Sequence, residues 1–323
     1  MSTAAFLYAF QQNLFKYAGP ILIAIGTISC LLNLLVFTQN TLRKNPCTIC
    51  LIAVNIVNLA SFYLTPLSLV LSSGYNIDPS ANSLQLCRFR FYIGFALAVW
   101  ESSCLILASI DRTLVTSPNA TTRKRSTRRL AITSIICTGL FWAIFHIHTW
   151  IYVQMVQYGP DYFVCYYQPG AYTTFITYYS LLLNGIIPPL FMFIFGCWTV
   201  RNIRQVRHAT RHSGSTHSVI VVIGRPQIVQ SKDQQLIRML LVEIGTFILC
   251  KSPVTIFYIY QEVTKYNEKS TEQQMTEQYV LSVTYFVYFI ENAVSCYMNI
   301  VVSKTFRAEL KRIFLNVRQL SCR

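Results

Sequence analysis

The sequence predicts an all-α membrane protein, a bundle of seven transmembrane helices followed by an amphipathic helix on the membrane surface. Of the 323 residues, 53% are hydrophobic and only 12% are charged, and the mean hydropathy is +0.42. This composition is typical of a polytopic membrane protein rather than of a soluble domain. Seven apolar runs divide the chain, and each is long enough to cross a hydrocarbon core of ~30 Å as a helix.

The basic residues set the predicted topology. The formal charge is +15, and most Lys and Arg fall near residues 43–44, 112–129, 201–238 and 304–323, between or beyond the apolar runs. If the runs alternate across a bilayer, all of these groups lie on one side, which the positive-inside rule identifies as cytoplasmic. We therefore expect a plasma-membrane protein with an extracellular N-terminus and a cytoplasmic C-terminus. The basic excess reflects topology, so no nucleic-acid partner is expected.

Taken in order, the chain begins with residues 1–16, which lack a basic n-region and are predicted to form a short extracellular tail. Residues 17–302 are predicted to form the transmembrane domain. Pro66, Pro188, Pro189 and Pro253 fall inside spans, where each removes a backbone donor and distorts its helix. The predicted spans are residues 17–37, 48–71, 86–115, 130–153, 173–200, 236–261 and 279–302.

The third span organises the chain. It is apolar almost throughout from Cys87 to Arg112, and as a helix this stretch covers about 36 Å, so its ends reach opposite interfaces. A cysteine on the oxidising side can form a disulfide. An adjacent acid and base on the other side, Asp111 and Arg112, can be recognised by a cytoplasmic partner.

The connecting segments carry further signals. The outer loop after the fourth span is rich in aromatic residues, and residues 201–232 are expected to be a cytoplasmic loop with a helical extension of the fifth span. Residues 303–323 alternate apolar and basic side chains at helical spacing, which predicts an amphipathic helix on the inner membrane surface. Cys322 beyond it is a candidate for palmitoylation. The cysteines lack zinc-like spacing, so neither a metal nor a cofactor is expected.

Characteristic residues and short motifs occur within the spans and at their ends, in a fixed order along the chain. They are Asn33, Cys87, Asp111-Arg112-Thr113, Trp142, Cys165, Pro188, Phe247-x-x-Cys250-x-x-Pro253 and Ser303-Lys304-Thr305-Phe306-Arg307. Together they make the chain similar to the rhodopsin-like (class A) G-protein-coupled receptors over residues 17–314, as a divergent member. The resemblance implies a disulfide between Cys87 and Cys165, and a sixth-helix switch at Phe247 and Pro253.

The resemblance also implies an activation element at the inner end of the bundle. In the family, the arginine of the Asp-Arg pair is tied to an acid at the foot of the sixth helix in the inactive state. Here these residues are Asp111, Arg112 and Asp233, and we expect an activating ligand to bias this contact. Two family tyrosines are replaced, by Gly196 in the fifth span and within Ser295–Asn299 in the seventh.

The centre of the bundle is predicted to hold a charge cluster instead of the family's sodium ion. Asn58 replaces the anchoring aspartate, while Glu101, Glu291 and Lys251 take the positions of a serine, an asparagine and a tryptophan. Charges at this depth are costly and are expected to pair inside the bundle. Lys251 therefore bridges the two glutamates in this interpretation, and in the alternative it binds an acidic ligand. The predicted polar cluster comprises Asn33, Asn58, Glu101, Lys251, Glu291 and Ser295.

Two ligand classes are disfavoured by substitutions at family positions. Gly94 stands where amine receptors keep an acid, and Phe289 stands where opsins keep the retinal-binding lysine. The outer face is aromatic, which suits a short peptide such as a neuropeptide, although interfacial aromatics are normally membrane anchors. The candidate ligand-binding residues are Arg90, Tyr166, Tyr167, Tyr178 and Glu262.

The predicted function is therefore that of a receptor that binds an extracellular ligand and activates a heterotrimeric G protein, with membrane lipids as further partners. The alternatives are a seven-span chemoreceptor for a small molecule or a transporter. No internal repeat with paired broken helices supports a transporter. His146 and His148 in the fourth span lack the companion motifs of a hydrolase, so no enzyme is predicted.

Overall fold

The computed structural model describes residues 3–159, 162–167, 170–213, 231–264 and 267–321. The side chains of residues 3–4, 156–159, 162–164, 207–213, 231–233, 271 and 316–321 lie outside that description. Within the described part of the chain, seven helices are long and apolar enough to cross a membrane, so the predicted multi-span helical fold is confirmed. These spans are Ala5–Phe37, Pro46–Gly74, Leu84–Thr116, Arg128–Tyr152, Ala171–Val206, Gln234–Val263 and Glu272–Val302.

The spans are built from α-helices and short π-helical segments, and one β-hairpin connects the fourth and fifth spans. The end of the bundle near Cys87 is called outer and the end near Arg112 inner, after the predicted topology. The α-helices are α1 (Thr3–Asn13), α2 (Gly19–Phe37), α3 (Pro46–Leu64), α4 (Pro66–Leu69), α5 (Leu84–Thr116), α6 (Ala120–Lys124), α7 (Arg128–Phe145), α8 (Ile147–Tyr152), α9 (Ala171–Ser180), α10 (Ile187–Ser213), α11 (Ser231–Val263), α12 (Thr271–Val302) and α13 (Lys304–Ser321). The π-helical segments are Leu14–Ala18, Val70–Gly74 and Leu181–Ile186, a 3₁₀ turn covers Pro79–Ala81, and the strands are β1 (Val153–Gly159) and β2 (Tyr162–Tyr167).

The first span begins well before the predicted position 17, because the helix runs back to Thr3 through the π-helical segment Leu14–Ala18. Pro20 explains that segment: it has no amide hydrogen to donate to the carbonyl of Lys16. That carbonyl instead accepts a hydrogen bond from the Tyr75 hydroxyl, at 3.3 Å. Most of residues 1–16 are thus helical rather than an irregular tail.

The other prolines are accommodated in a similar way. Pro188 and Pro189 follow the π-helical segment Leu181–Ile186, which contains the carbonyls that a regular α-helix would pair with their missing amide hydrogens. Pro253 lies inside α11. The carbonyl of Leu249, four residues earlier, accepts instead from the Ser252 hydroxyl at 3.5 Å. The predicted break at Pro188 and Pro189 therefore occurs as a change of helical pitch within a continuous span, whereas α11 stays α-helical through Pro253.

Helix α5 lies at the centre of the bundle, in contact with α3, α7 and α10. Indole groups anchor the fourth span to it: Trp100 Nε1 donates to the Ile135 carbonyl at 3.1 Å, and Trp142 Nε1 donates to Ser103 Oγ at 2.8 Å. Gly139 permits this approach, because a Cβ there would lie only 2.8 Å from the Trp100 ring. The main apolar core lies around the inner half of α5.

The outer loop after the fourth span is a two-stranded antiparallel sheet, which was not predicted from the sequence. Strand β1 pairs with β2 with Val153 opposite Tyr167 and Met155 opposite Cys165. Val153, Cys165 and Tyr167 are buried against the outer end of α5. The hairpin therefore covers the outer end of the third span.

Helix α13 follows the seventh span after a single non-helical residue, Ser303. The hydroxyl of Ser303 accepts a hydrogen bond from the Phe306 amide at 3.1 Å, which caps the new helix. Phe306 is buried and packs edge-on against Phe37, with ring centroids 5.8 Å apart. Cys322 lies outside the described residues, so its palmitoylation stays a prediction.

Candidate functional site

Lys251 is the buried cation at the centre of the bundle. It lies on α11 two residues before Pro253, and only 2% of it is exposed. Its ammonium nitrogen is 3.2 Å from both carboxylate oxygens of Glu101 on α5 and 3.4 Å from Oε2 of Glu291 on α12. The structure thus brings together three charged residues that are far apart in the chain, each of them almost completely buried.

Aromatic rings complete the surroundings of this ammonium group. The nitrogen lies 4.1 Å from the centroid of Phe247 and 4.7 Å from that of Tyr288. Such ring faces attract a desolvated cation by roughly 2 kcal/mol. Phe247, a predicted switch residue, is fully buried beneath the charge.

The two glutamates are held differently. Glu101 is bound through both oxygens, whereas no described residue donates a hydrogen bond to either oxygen of Glu291. Next to Glu291 in the chain, Asn292 donates to Asn58 Oδ1 at 3.2 Å. Glu101 is therefore the principal partner of Lys251, while the predicted cluster residue Asn58 is bound by Asn292, which was not among the predicted site residues.

A further buried glutamate, Glu243, lies on α11 about two helical turns before Lys251. It accepts from the Ser295 hydroxyl, whose oxygen is 2.9 and 3.0 Å from its two carboxylate oxygens. Asn33 Nδ2 donates to the same hydroxyl oxygen at 3.1 Å and to Asn55 Oδ1 at 2.9 Å. Asn33 and Ser295, both predicted cluster residues, thus belong to a polar network that continues the cluster inward.

Glu243 was not among the predicted site residues, although its position inside the apolar sixth span was a usable signal. An ionisable residue at membrane depth is a functional candidate by default. Its eight-residue separation from Lys251 leaves the two side chains about 80° apart around the helix axis, so both lie on the same side of α11. Among the described residues, the buried cluster and its extension contain the acids Glu101, Glu243 and Glu291 and one base, Lys251.

At the inner end of α5, Arg112 is fully buried. Its Nη2 lies 2.5 Å from Oδ2 of Asp111 and 2.6 Å from Oδ1 of Asn45. The Ser126 hydroxyl donates a short hydrogen bond to the other carboxylate oxygen of Asp111. Asn45 also caps α3 by accepting from the Cys47 amide at 3.1 Å, so the guanidinium is bound both by α5 and by the start of α3.

The foot of the sixth span is attached to α13. Asp233 lies in α11, but its side chain is outside the described residues, so its predicted contact with Arg112 stays a prediction. Two residues further along, Gln235 Oε1 accepts from the Thr305 amide at 2.5 Å and from the Ser303 hydroxyl at 3.2 Å. An uncharged glutamine carried no signal in the sequence, and only its position reveals this connection.

The third and fifth spans are joined next to Arg112. The hydroxyl of Thr113, which stands in place of the family's tyrosine, lies 3.0 Å from the Thr199 hydroxyl and 3.1 Å from the Phe195 carbonyl oxygen. Asn202 Nδ2 donates to the Thr113 carbonyl at 3.2 Å. These contacts connect α10 to the third span at the level of the arginine.

On the outer face, the disulfide that the resemblance implies is present. Cys87 and Cys165 are bonded, with Cα atoms 5.6 Å apart, and so attach β2 to α5. Tyr167 follows in β2 and is buried, with its ring centroid 4.9 Å from that of Phe91. Burial raises the pKa of Tyr167 well above its usual value, so its hydroxyl remains neutral.

The candidate ligand-binding residues have different environments. Arg90 donates to Ser80 Oγ at 3.1 Å and lies 3.7 Å from Asp78, so it stabilises the preceding outer turn. Tyr166 is 42% exposed beside the buried Tyr167. Tyr178 on α9 is 48% exposed, and Glu262 is partly exposed near the outer end of α11. The alternation within β2 directs Tyr166 away from the core.

Comparison with protein families gives one match. The sequence model described as 7 transmembrane receptor (rhodopsin family) matches residues 29–299, which is most of the chain. Comparison with curated proteins gives no match.

Proposed function

The chain belongs to the rhodopsin family of seven-transmembrane receptors, and from that membership we propose that it binds an extracellular ligand and activates a heterotrimeric G protein. The observation that carries the coupling proposal is the fully buried Arg112 at the inner end of α5. A guanidinium held out of water is costly unless it is paired, and such residues generally mark function. Its contacts with Asp111 and Asn45 supply a state from which an activating ligand releases it.

The proposed resting state has two restraints on the sixth span. One is the family-type contact of Asp233 with Arg112. The other is supported by the hydrogen bonds from Thr305 and Ser303 to Gln235, which connect α11 to α13. Outward movement of α11 requires the second restraint to break, and opening of the cytoplasmic face follows from that movement.

In the bundle centre, we propose that Lys251 acts as an internal cation in place of a sodium ion. The support is its simultaneous contact with Glu101 and Glu291. A fixed ammonium at this position makes the resting state independent of external sodium. The alternative is that Lys251 recognises an acidic ligand, and its burial and occupied hydrogen bonds favour the structural role.

For the ligand, we favour a short peptide over a small molecule. The exposed Tyr166 on β2 supports this choice, because tyrosine side chains provide a large contact area at low entropic cost. A groove of about 700 Å³ between α1 and the start of α12 offers further outer surface, and Tyr8 and Gln274 are among its lining residues. A chemoreceptor for a small molecule is the second candidate, and neither an enzymatic nor a transport activity is proposed.

The proposed placement is the plasma membrane, with the N-terminal end of the first helix outside, the seven spans forming the receptor domain and residues 303–323 inside. Along α13, Phe306 is buried whereas Phe314 and Leu315 are exposed, which supports a helix that lies on the inner membrane surface beside anionic lipid. Epitope tags test this placement. An N-terminal tag should be stained on intact cells and a C-terminal tag only after permeabilisation; the reverse pattern would refute it.

The ligand and coupling proposals are tested together by screening peptide and small-molecule libraries on cells that express the receptor with a promiscuous G protein. We expect a peptide to give a calcium signal that is lost in Arg112→Ala at equal surface expression. Lys44→Ala is the matched control, because Lys44 is an exposed basic residue near the same end of the bundle. A response carried only by small molecules would replace the peptide proposal, and a response unchanged in Arg112→Ala would refute the role of the arginine.

A further inference from the structure

Ser126 lies in the short non-helical link between α6 and α7, where its hydroxyl donates to Asp111. We propose that Ser126 is a phosphorylation site for a serine kinase that selects basic flanking residues, and that the phosphate opens the Asp111–Arg112 contact. The proposal rests on the proposed cytoplasmic position of this link, where ATP-dependent kinases act.

The first step of the proposal, recognition of Ser126 by a kinase, depends on the charged residues around it. Arg123, Lys124 and Arg125 precede it, and Arg128 and Arg129 follow within three residues. All of them are at least partly exposed, so the cationic side chains are available to an acidic substrate groove. Kinases discriminate substrates by such charge patterns.

The neighbouring hydroxyls are engaged in other ways. Thr127 caps α7, since its Oγ1 accepts from the Leu130 amide at 3.3 Å. Thr121 lies inside α6. Ser126 belongs to no helix, caps none and is only partly buried, so breaking its hydrogen bond to Asp111 is the step that frees it for a kinase cleft.

The second step of the proposal, opening of the Asp111–Arg112 contact, depends on the hydrogen bond between Ser126 and Asp111. Kinase action transfers the γ-phosphoryl group of ATP to Ser126: the Oγ–H bond breaks, an Oγ–P bond forms, and the P–O bond to the departing ADP breaks. The hydroxyl proton passes to the kinase's general base. The product no longer has a hydrogen to donate, so one carboxylate oxygen of Asp111 loses its donor.

The added phosphate also changes the local electrostatics. It carries a charge of about −1.5 to −2 near neutral pH and would sit beside the Asp111 carboxylate, which it repels. Phosphate is also a strong acceptor for guanidinium groups, so it competes with Asp111 for Arg112. Both effects act against the ion pair that holds the arginine in its buried position.

The hydrogen bond to Asp111 should also restrict phosphorylation of Ser126, and this effect can be tested. If the hydrogen bond to Asp111 keeps Ser126 from the kinase, then Asp111→Ala should expose it. Loss of a hydrogen bond to a charged group corresponds to an increase of about tenfold or more in the open population. Phosphorylation of Ser126 in Asp111→Ala should therefore be faster than in the wild type by about that factor.

The experiment uses the full chain in lipid nanodiscs, incubated with Mg-ATP and the catalytic subunit of a basic-directed serine kinase. Mass spectrometry should place phosphate on Ser126 in the wild type and in Thr127→Ala, and Ser126→Ala should lose that phosphopeptide. Phosphorylated wild-type receptor should also show faster amide exchange over residues 120–127 than the unmodified protein.

Phosphate on Thr127 alone, no phosphate on Ser126 in any variant, or equal rates in wild type and Asp111→Ala would overturn the proposal. The assay needs neither a ligand nor a G protein, and both faces of a nanodisc are accessible. Its outcome is therefore independent of whether the receptor couples as proposed.

Discussion

Replacement of Lys251 by methionine tests the buried charge cluster most directly, because it removes the one cation of the cluster while preserving side-chain length. Glu101 and Glu291 then remain buried, with 2% and 0% exposure, and lose their ion pair. Breaking a buried pair by removing one partner costs about 3–5 kcal/mol. In a chain of this size, that loss lowers the thermal midpoint by roughly 2 °C per kcal/mol, or about 6–10 °C.

The second substitution identifies the principal partner. Because Glu101 contacts the ammonium group through both oxygens at 3.2 Å whereas Glu291 does so through one at 3.4 Å, Glu101→Gln should rescue Lys251→Met better than Glu291→Gln. Glu291→Gln should still recover part of the loss. Each neutral amide removes one uncompensated buried charge, so both double variants should exceed the single variant in stability.

The assay is thermal unfolding of detergent-solubilised receptor, followed with a thiol-reactive dye that reports exposure of buried cysteines. Cys30, Cys104 and Cys296 are buried within the bundle and react only when it opens. Lys44→Met is the matched control, since it makes the same change at an exposed lysine and should leave the midpoint unchanged.

Two outcomes would refute the reasoning. If Lys251→Met has the same thermal midpoint as the wild type, or if neither double variant has a higher midpoint than the single one, the glutamates are not paired with Lys251. The internal-cation proposal adds that replacing sodium chloride by choline chloride should leave the wild-type midpoint unchanged. A sodium-dependent shift in the wild type would contradict that proposal.

The remaining predictions concern the two ends of the bundle. Peptide mapping of surface-expressed protein should recover Cys87 linked to Cys165, and replacing both by serine should destabilise the receptor by ~2–4 kcal/mol; recovery of both as free thiols would be contrary to the structure. Asp233→Asn should raise ligand-independent signalling because it weakens the inactive state selectively. Unchanged basal activity at equal expression would refute the predicted contact between Asp233 and Arg112. Gln235→Leu should also raise basal signalling, since it deletes the acceptor that connects α11 to α13, whereas Gln235→Glu keeps that acceptor and should not; equal behaviour of the two variants would exclude this restraint.

Much of the architecture was predictable because it depends on local properties of the chain. The length of each apolar run determines that it spans the membrane, and the distribution of Lys and Arg indicates which loops share a side. Family motifs located Asp111, Arg112, Cys87 and Cys165 without any knowledge of packing. The helical start at Thr3 and the outer hairpin were missed, because the N-terminal boundary and the pairing of β1 with β2 carry weak signals in a single sequence.

The sequence by itself thus determined the seven spans, the family and the presence of charged residues at membrane depth. The positions of Glu101, Lys251 and Glu291 in the family pattern predicted that they pair, with an acidic ligand for Lys251 as the alternative, and the tertiary structure shows the three side chains in contact. Each residue turns a helix by ~100°, so the partners of Lys251 depend on the rotation of α5, α11 and α12 about their axes. Packing against neighbouring helices sets that rotation, and it is the reason that Glu243 faces Ser295 and that Gln235 reaches the start of α13.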